Sequence, residues 1–327
     1  MQPDLTHEFI PSRPQQFKSC HASTILPLTD GRLLAAWFGG TREKHPDVGI
    51  WCSRRDASGT WSDPEKIADE AALPHWNPVL ADAGREEVVL FYKVGPDPRE
   101  WRTRTKRSSD GGRTWSAHSE PPPLADRQGR SFTAGPVKNK LIVLSDGTWL
   151  SPTSRETEAE WDAAVTRSTD GGQTWHLSTV PLDHAAFAGK GVIQPTVWES
   201  EPGRVHMLLR STAGFVARAD SSDAGRTWSP IASTDLPNNN SGIDLVRLPD
   251  GGLVLASNPV GADWGPRTPL VLSRSNDNGR TWRRIATLED EDAEFSYPAI
   301  VCTFEGVVVS YTCKRRRICV ATLRGVR

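Results

Sequence analysis

The phrase SSDGGRTW, which begins at Ser108, decides the fold of this chain because closely similar phrases recur along it. Asp and Gly accept tight, partly left-handed turns, and the Asp carboxylate can accept hydrogen bonds from nearby backbone amides. The four clear copies begin 60, 53 and 54 residues apart, a period that indicates blades, solenoid turns or arrays. The other copies are STDGGQTW from Ser168, SSDAGRTW from Ser221, SNDNGRTW from Ser275 and a stretched version, SRRDASGTW, from Ser53.

A second repeat gives the number of units. A glycine turn that leads into an apolar strand occurs six times, and stretches that alternate in polarity, such as VVLFYKV, follow it. Six units in 327 residues give about 54 residues each. We therefore predict an all-β fold, a six-bladed β-propeller with four-stranded antiparallel blades, as a single domain over residues 1–327. The turn glycines are Gly31, Gly84, Gly147, Gly203, Gly251 and Gly306.

Five Asp phrases in six blades are explained if the N-terminal segment closes the ring. The phrase is expected between the third and fourth strands of a blade. The sixth blade would begin near Phe295, and the sequence from there to Arg327 is too short to add a full fourth strand. We predict that the segment near His7–Ile10 supplies that strand.

Composition restricts the partners. The net charge of −1 produces no global field that would attract a nucleic acid or an anionic membrane, and no stretch approaches a membrane span. The chain shows no signal-like apolar opening, so a cytoplasmic location is expected. The five cysteines lack metal spacing and are expected to be free thiols, with no metal or other cofactor. The basic run Lys314–Arg317 suits either a solvated turn or a rim that faces an anion.

The S-x-D-x-G-x-T-W phrase, six blades and this period together resemble the sialidase (neuraminidase) superfamily, the group with bacterial neuraminidase repeats (Asp-boxes). The resemblance covers nearly the whole chain. It implies a site at the channel mouth where three arginines hold the substrate carboxylate, a Tyr activated by a Glu attacks, and a loop Asp is the acid/base. The phrase also occurs in propellers that only bind, so activity has to be argued from the site residues.

The resemblance places two of the three arginines on this sequence. The segment GRVHMLLRS gives Arg210, and GPRTPLVLSRS gives Arg267. In CHASTILPLTDGR, His21 stands where the remaining arginine would be. Because a guanidinium group binds a planar carboxylate through two charge-assisted hydrogen bonds, Arg210 and Arg267 are expected to bind the substrate carboxylate.

The catalytic positions match less completely. The segment EFSYPAIV gives Tyr297 as the nucleophile, whereas IQPTVWES places Gln194 where the activating Glu would be. Gln cannot accept a proton, so the usual activation of the tyrosine is absent. The loop FGGTREKHPDVGIW offers Asp47 as the acid/base, with Arg42 beside it as a substrate contact.

The remaining candidates come from blade geometry. The first residues of the inner strands should gather at one end of the channel, together with His21, Gln194 and Tyr297. Aromatic faces with a few polar groups are typical of small-molecule sites and suit a sugar ring. The added substrate-binding candidates are Trp76, Asn77, Lys138, Asn240 and Asp244.

Three functions remain open at this point. The first is an exo-acting glycoside hydrolase, sialidase-like, that acts on a carboxylate-bearing sugar. The second is a lyase on a uronate-ended saccharide, in which Arg210 and Arg267 neutralise the carboxylate while His21 and Tyr297 exchange protons. The third is a propeller that binds carbohydrate without catalysis. The expected partner is an acidic saccharide in each case, and the oligomeric state is left open.

Overall fold

The computed structural model describes residues 4–11, 16–70, 72–84 and 86–326, and in this part of the chain it contains 25 β-strands. The strands form six successive antiparallel sheets and one short hairpin. Strands of neighbouring sheets contact one another around the ring, blades two and three share a cluster that includes Val79, Phe91 and Trp149, and the first strands of the first and sixth sheets meet, so the sheets form a closed ring. The apolar faces of adjacent blades bury one another, as where Leu34 and Ile50 pack with Leu80 and Leu90.

The strand bounds follow the repeat. The first strand, β1 (Asp4–Phe9), belongs to the last blade. Blade one comprises β2 (Ser19–Pro27), β3 (Leu33–Gly40), β4 (Gly49–Arg55) and β5 (Glu65–Ala68), and blade two β6 (His75–Gly84), β7 (Glu87–Val94) and β8 (Arg102–Ser108). After the hairpin β9 (Leu124–Ala125) and β10 (Ser131–Phe132), blade three comprises β11 (Ile142–Val143), β12 (Trp149–Glu156), β13 (Trp161–Ser168) and β14 (His176–Thr179). Blade four comprises β15 (Val192–Glu201), β16 (Arg204–Ser211), β17 (Phe215–Ser221) and β18 (Ala232–Pro237). Blade five comprises β19 (Asp244–Arg247), β20 (Leu253–Ser257), β21 (Leu270–Ser275) and β22 (Arg283–Glu289), and blade six β23 (Phe295–Thr303), β24 (Gly306–Cys313) and β25 (Arg317–Arg324).

The ring closes through the N-terminal strand. β1 pairs antiparallel with β25, from Asp4 opposite Arg324 to Phe9 opposite Cys319. The sheet order β1-β25-β24-β23 makes β1 the outermost strand of blade six. The prediction of six blades closed by the N-terminal segment is therefore confirmed.

Blade two departs from the four-stranded pattern in the described residues. Its three strands are joined at the outer edge by one bridge, between Thr105 and Ser119. Pro121–Pro123 follow after Glu120. Proline has no backbone N–H to donate to a ladder, so this segment cannot extend the bridge into a full fourth strand.

The Asp phrases lie between the third and fourth strands, as predicted, and bond within themselves. In the copy around Asp110, the Ser108 hydroxyl donates to the carboxylate at 2.7 Å and accepts from the Gly112 amide at 2.8 Å. The same carboxylate accepts from the amides of Arg113 and Thr114 at 2.9 Å each. These bonds fix the turn, and no substrate is needed to satisfy them.

The six turn glycines all adopt the left-handed conformation, with φ between +76° and +138°. Each joins the first strand of its blade to the second. At Gly306 a Cβ atom would lie 2.3 Å from the Leu323 carbonyl oxygen, so no other residue fits there without a shift of the backbone.

The start of the first strand carries a second repeated feature. In four blades a β-bulge interrupts the pairing there, for example between Trp76 and Val79 and between Ser296 and Ala299. One residue per blade near this point has a positive φ, between 39° and 74°. Bulges redirect side chains, and the side chains of three of these residues, Asn77, Gln194 and Tyr297, line the channel mouth. We call this set the mouth ring: Ala22, Asn77, Gly135, Gln194, Asn240 and Tyr297.

All five cysteines are free thiols, and four of them are buried. Burial raises the pKa of the Cys20 and Cys52 thiols to about 12, although Arg315 near Cys20 and Arg54 near Cys52 oppose this. The described residues contain no helix that is long and apolar enough to cross a membrane.

Candidate functional site

A cavity of about 330 Å³, which we call the central cavity, opens at the mouth ring. Its wall combines four indole rings with guanidinium, carboxyl and amide groups. The mixture of flat apolar faces and converging polar groups is typical of ligand sites. The lining residues are His21, Glu43, Lys44, Trp76, Asn77, Pro98, Trp101, Glu156, Trp161, Gln194, Arg210, Trp264, Arg267, Tyr297 and Arg315.

Tyr297 lies at the centre of the contacts in this cavity. Its hydroxyl oxygen accepts a hydrogen bond from Arg210 Nη1 at 2.7 Å, and the Gln194 amide nitrogen lies 3.4 Å away. The His21 ring is tilted over the tyrosine ring, with 4.2 Å between the ring centroids. The structure thus brings Tyr297, Gln194 and His21 together, and it places the amide, not a carboxylate, next to the phenol.

Arg210 and Arg267 converge on the same tyrosine. Their guanidinium carbons lie 5.9 Å and 5.5 Å from the centroid of the Tyr297 ring. Asn240 accepts from Arg210 Nε at 2.7 Å, and Glu294 accepts from Arg267 Nη1 at 2.7 Å. A hydrogen bond to a neighbouring side chain therefore fixes the orientation of each guanidinium group. A site that binds an anion through two hydrogen bonds requires such a fixed orientation.

A third guanidinium, that of Arg315, also lines the cavity. It lies in the turn between β24 and β25, inside the basic run Lys314–Arg317, and donates to Glu294 and Glu43 at 2.7 Å each. The sequence signal was present, but it left open whether this run was a solvated turn or an anion-facing rim. The structure places one member, Arg315, in the cavity, while Lys314 and Arg316 are exposed.

His21 is neutral in this environment. Burial lowers its pKa well below 6.5, and the positive charges of Arg315 and Arg267 lower it further. Its Nδ1 lies 2.8 Å from the Thr312 hydroxyl, whereas its Nε2 makes no hydrogen bond to another described residue. A neutral imidazole cannot stand in for an arginine as a cation, and burial together with the surrounding positive charges disfavours a second proton on its ring.

Glu156, at the end of β12, is a functional candidate that the sequence reasoning missed. It is half-buried in the cavity wall, and its carboxyl group makes no hydrogen bond within the described residues. Burial raises its pKa; Arg210 opposes this, and the charges of Asp97 and Glu43 add to it. A carboxyl whose pKa is raised keeps its proton to a higher pH than usual and can act as a general acid.

Asp47, the predicted acid/base, lies outside the cavity. It is exposed, and its carboxylate accepts hydrogen bonds from the Thr41 amide at 3.0 Å and the Thr41 hydroxyl at 2.6 Å. Although partial burial raises its pKa, these bonds and His45 lower it overall, so the group is a poor proton donor. Arg42 is also exposed and does not line the cavity. The structure corrects both placements: Glu43 and Lys44 are the residues of this loop that reach the cavity.

Lys138 and Asp244 form a layer beneath the cavity and do not line it. The Lys138 ammonium donates to Asn139 Oδ1 and to the carbonyls of Ile243 and Pro298, although burial lowers its pKa to about 7. Asp244 accepts from the Thr196 hydroxyl at 2.7 Å. Both side chains tie the inner strands together under the site. Asn240 also acts indirectly, through its bond to Arg210.

One group of potential metal ligands is found in the described residues: Glu160, Asp162 and His184. The Asp162 carboxylate already binds the guanidinium groups of Arg130 and Arg155, at 3.0 and 2.9 Å, and His184 at 3.0 Å. Two cations on one carboxylate oppose the entry of a metal ion. These contacts are those of an ion-pair network that joins the hairpin β9–β10 region to blade three.

Comparison with known proteins identifies relatives. The family model described as a BNR repeat-like domain matches residues 31–309. A sialidase from Micromonospora viridifaciens is 27% identical over 247 residues, which cover 73% of this chain and 34% of the relative. A sialidase from Bacteroides fragilis is 28% identical over 47% of this chain and 36% of its own length, and a Paenibacillus xyloglucanase is 26% identical over 68% and 23%. The chain thus spans about a third or less of these curated relatives.

Solved structures show the same fold at lower identity. A protein of unknown function from Dyadobacter fermentans superposes with a TM-score of 0.78 at 17% identity, over 99% of both chains. A Hadza microbial sialidase gives 0.76 at 17%, over 94% of this chain and 66% of the other. The Trypanosoma rangeli sialidase in complex with sialic acid gives 0.76 at 15%, over 99% and 60%.

Proposed function

We propose that this chain, which belongs to the family of BNR repeat-like domains and folds as a sialidase-like propeller, is an exo-acting glycoside hydrolase for a sugar that carries a carboxylate. One observation carries the proposal: the guanidinium groups of Arg210, Arg267 and Arg315 line the same cavity as Tyr297. The inner strands close the ring around the cavity, so the end of a saccharide would enter it more easily than the middle.

The carboxylate would bind among the three guanidinium groups. Glu294 holds Arg267 and Arg315, and Asn240 holds Arg210, so little ordering is needed when the ligand binds. A planar carboxylate matches the fork of a guanidinium group, whereas a lysine offers only a point charge. The indoles of Trp161 and Trp264 flank Arg210 and would cover the apolar face of the sugar.

The chemistry would follow a covalent route. The Tyr297 oxygen would form a bond to the anomeric carbon while the bond to the leaving oxygen breaks, and Glu156 would give its proton to that oxygen. Arg210 donates to the phenol oxygen and thereby stabilises its anionic form. In the absence of a carboxylate beside the phenol, the phenol proton would pass to water in the open cavity. Water, activated by the ionised Glu156, would then release the sugar.

A lyase is the second candidate, and the contacts of Tyr297 favour it. The amide of Gln194 and a neutral His21 surround the phenol, and beta-elimination needs no carboxylate partner for a nucleophile. The arginines would neutralise a uronate carboxylate, His21 or Tyr297 would remove the C5 proton, and Glu156 would protonate the leaving oxygen. The C4–C5 double bond of the product would absorb ultraviolet light.

Product analysis tests the proposal. Wild-type protein would be incubated with sialyl and uronate-ended oligosaccharides, and the products would be identified by mass and ultraviolet absorbance. Free acidic sugar with a gain of one water supports the hydrolase, and an unsaturated sugar supports the lyase. Tyr297→Phe should abolish either product while the protein remains folded. Binding of the saccharides without any product would instead support a propeller that only binds.

A further inference from the structure

Two cysteines flank the turn that carries Arg315 into the central cavity. In the ladder of β24 and β25, Cys313 lies opposite Arg317, two positions before Cys319. The two cysteines are therefore diagonal neighbours on one face of the sheet. Both side chains are buried in the apolar cluster that packs against blade five, and a hydrogen bond joins the two thiols. The chemistry proposed for the central cavity uses neither thiol.

The turn between the two strands depends on contacts from outside the hairpin. Lys314 and Arg315 have φ values of 54° and 55°, in the left-handed region that residues other than glycine rarely adopt. The Lys314 amide donates to the Glu294 carbonyl at 2.7 Å. The Cys20 amide donates to the Arg315 carbonyl at 2.9 Å. Such a backbone persists only where its surroundings fix it, so a distortion of the adjoining strand ends would displace Arg315.

The two thiols differ in the way that disulfide formation requires. The hydrogen bond with Cys319 lowers the pKa of the Cys313 thiol, and the charges of Arg317 and Lys314 also lower it, although burial and Glu289 oppose this. The same hydrogen bond, together with burial, raises the pKa of the Cys319 thiol. The pair thus combines a sulfur that ionises readily with one that keeps its proton. Cys313 is also the more exposed residue, at 7% against 1%, so an oxidant from solvent meets it first.

A disulfide between these positions requires the backbone to move. Diagonal neighbours across an antiparallel ladder typically lie about 7–8 Å apart, whereas the Cα atoms of a disulfide lie about 4.4–6.8 Å apart. A bond between Cys313 and Cys319 would therefore draw the ends of β24 and β25 together and change the twist of the turn between them.

We propose that Cys313 and Cys319 are a peroxide-sensitive thiol pair whose disulfide withdraws Arg315 from the central cavity. The Cys313 thiolate would attack hydrogen peroxide and become a sulfenic acid as hydroxide leaves and takes up the proton that Cys313 had lost. The Cys319 thiol would then displace water from that sulfur, so two thiols and one peroxide give a disulfide and two waters. A thiol reductant would reverse the step. The inference rests on the proposed function in one respect, because it takes Arg315 as a group that binds the acidic sugar.

Mass spectrometry and amide exchange test the pair without any ligand. Wild-type protein would be treated with hydrogen peroxide and digested without reduction, and we expect a peptide that is cross-linked between Cys313 and Cys319. Because the Cys20 amide donates to Arg315, peptides that contain Cys20 should exchange deuterium faster in the oxidised protein, whereas those from β16 should not change. A thiol reductant should restore both.

Calorimetry with sialic acid and glucuronic acid relates the disulfide to the central cavity. We expect at least one of the two to bind the oxidised protein about tenfold more weakly than the reduced protein. Cys313→Ser and Cys319→Ala should keep the affinity of the reduced protein after peroxide treatment. Cys302→Ser is the matched control, since Cys302 is the most exposed thiol but lies on β23, outside the turn, and this variant should respond as wild type does.

Absence of the cross-linked peptide, or a bond from Cys20 to Cys313 in its place, would overturn the pair and leave the proposed function standing. A disulfide between Cys313 and Cys319 with unchanged exchange at Cys20, or with unchanged affinity for the sugars, would overturn the withdrawal of Arg315. If the exchange responds but neither sugar binds the reduced protein, the proposed function fails and the response to peroxide stands.

Discussion

At the residue scale, burial of His21 makes the stability of the fold depend on pH. Its folded pKa lies well below 6.5, chiefly because the ring is buried, so the unfolded chain binds more protons than the folded chain as the pH falls below 6.5. We predict that wild type loses stability between pH 7 and 5, by up to about 1.4 kcal/mol per pH unit from this group. The free energy of unfolding would be measured by urea denaturation at several pH values in this range, and His21→Gln should remove this part of its pH dependence. The same pH dependence in both proteins would contradict the assignment to His21.

Glu156 gives a prediction about leaving groups. Because its pKa is raised, the acid form persists to a higher pH than that of an ordinary carboxyl, and kcat/KM should fall as the pH rises through that pKa. Glu156→Gln cannot donate a proton. We expect a loss of about 10²–10⁴ in kcat/KM on natural glycans and a much smaller loss on aryl glycosides whose leaving groups need no proton. The variant should also lack the alkaline limb of the profile, and a similar loss on both substrate types would argue against an acid role.

Arg315 and Arg316 offer a matched pair of variants to test the proposed binding of a carboxylate. Arg315 lines the central cavity, while its neighbour Arg316 is exposed. Loss of a charge-assisted hydrogen bond costs about 1.5–3 kcal/mol, so Arg315→Gln should weaken binding of an acidic sugar by about tenfold or more. Arg316→Gln should leave the dissociation constant unchanged. Calorimetry with a neutral sugar of the same size would show no difference between the two variants.

At the scale of the element, the Asp phrase contributes to stability rather than to activity. In the blade-four copy, Asp223 accepts hydrogen bonds from the amides of Arg226 and Thr227 and from the Thr227 hydroxyl. Although partial burial raises its pKa, these bonds bring it down to about 2, so the stabilisation is complete above pH 4 and is lost as the pH falls toward 2.

We predict that Asp223→Ala lowers the free energy of unfolding at pH 7 by about 1–3 kcal/mol through the lost hydrogen bonds, with kcat and KM unchanged. At pH 2 the variant and wild type should differ much less. A large loss of activity in a folded Asp223→Ala protein would show that the turn has a role at the site.

Several residues of the central cavity lie in or beside the turns between second and third strands, and the sequence predicted only some of them. Arg210 and Tyr297 were predicted because they match the family's motifs. Glu156 has no counterpart in those motifs, and the run that contains Arg315 left two roles open, although both residues lie in or beside turns between second and third strands, as Arg210 does. The second strand returns to the end from which the first strand started, so these turns also face the mouth. Applied to every blade, this rule would have included both residues.

Asp47 shows the limit of the same rule. It lies in the corresponding turn of blade one, yet only part of that turn reaches the central cavity. The choice depends on local hydrogen bonds, such as those from Thr41, and no repeat pattern reports them. Blade membership could be predicted from the sequence, whereas the direction of each side chain in an irregular turn could not.

At the scale of the whole molecule, ring closure depends on the pairing of β1 with β25. Removal of residues 1–11 would leave the β25 edge unpaired, and an exposed edge promotes association with other chains. We predict a melting temperature lower by about 5 °C or more and concentration-dependent oligomers in light scattering. A protein that lacks only residues 1–3, which precede β1, should behave as wild type. Equal melting temperatures for the two truncations would contradict closure by this strand.

The mouth ring has an evolutionary consequence. Each blade contributes one position at a φ of 39–74°, whether the residue there is Tyr297, Gln194 or Gly135. The backbone fixes where each side chain leaves its strand, but the packing around the positions differs. Ala22 is buried in the core, and a Cβ atom at Gly135 would lie 2.7 Å from the Phe91 ring, so these two blades are closed to larger groups. Asn77, Gln194 and Tyr297 line the central cavity from three different blades, so single substitutions at these positions can alter what the cavity recognises one blade at a time.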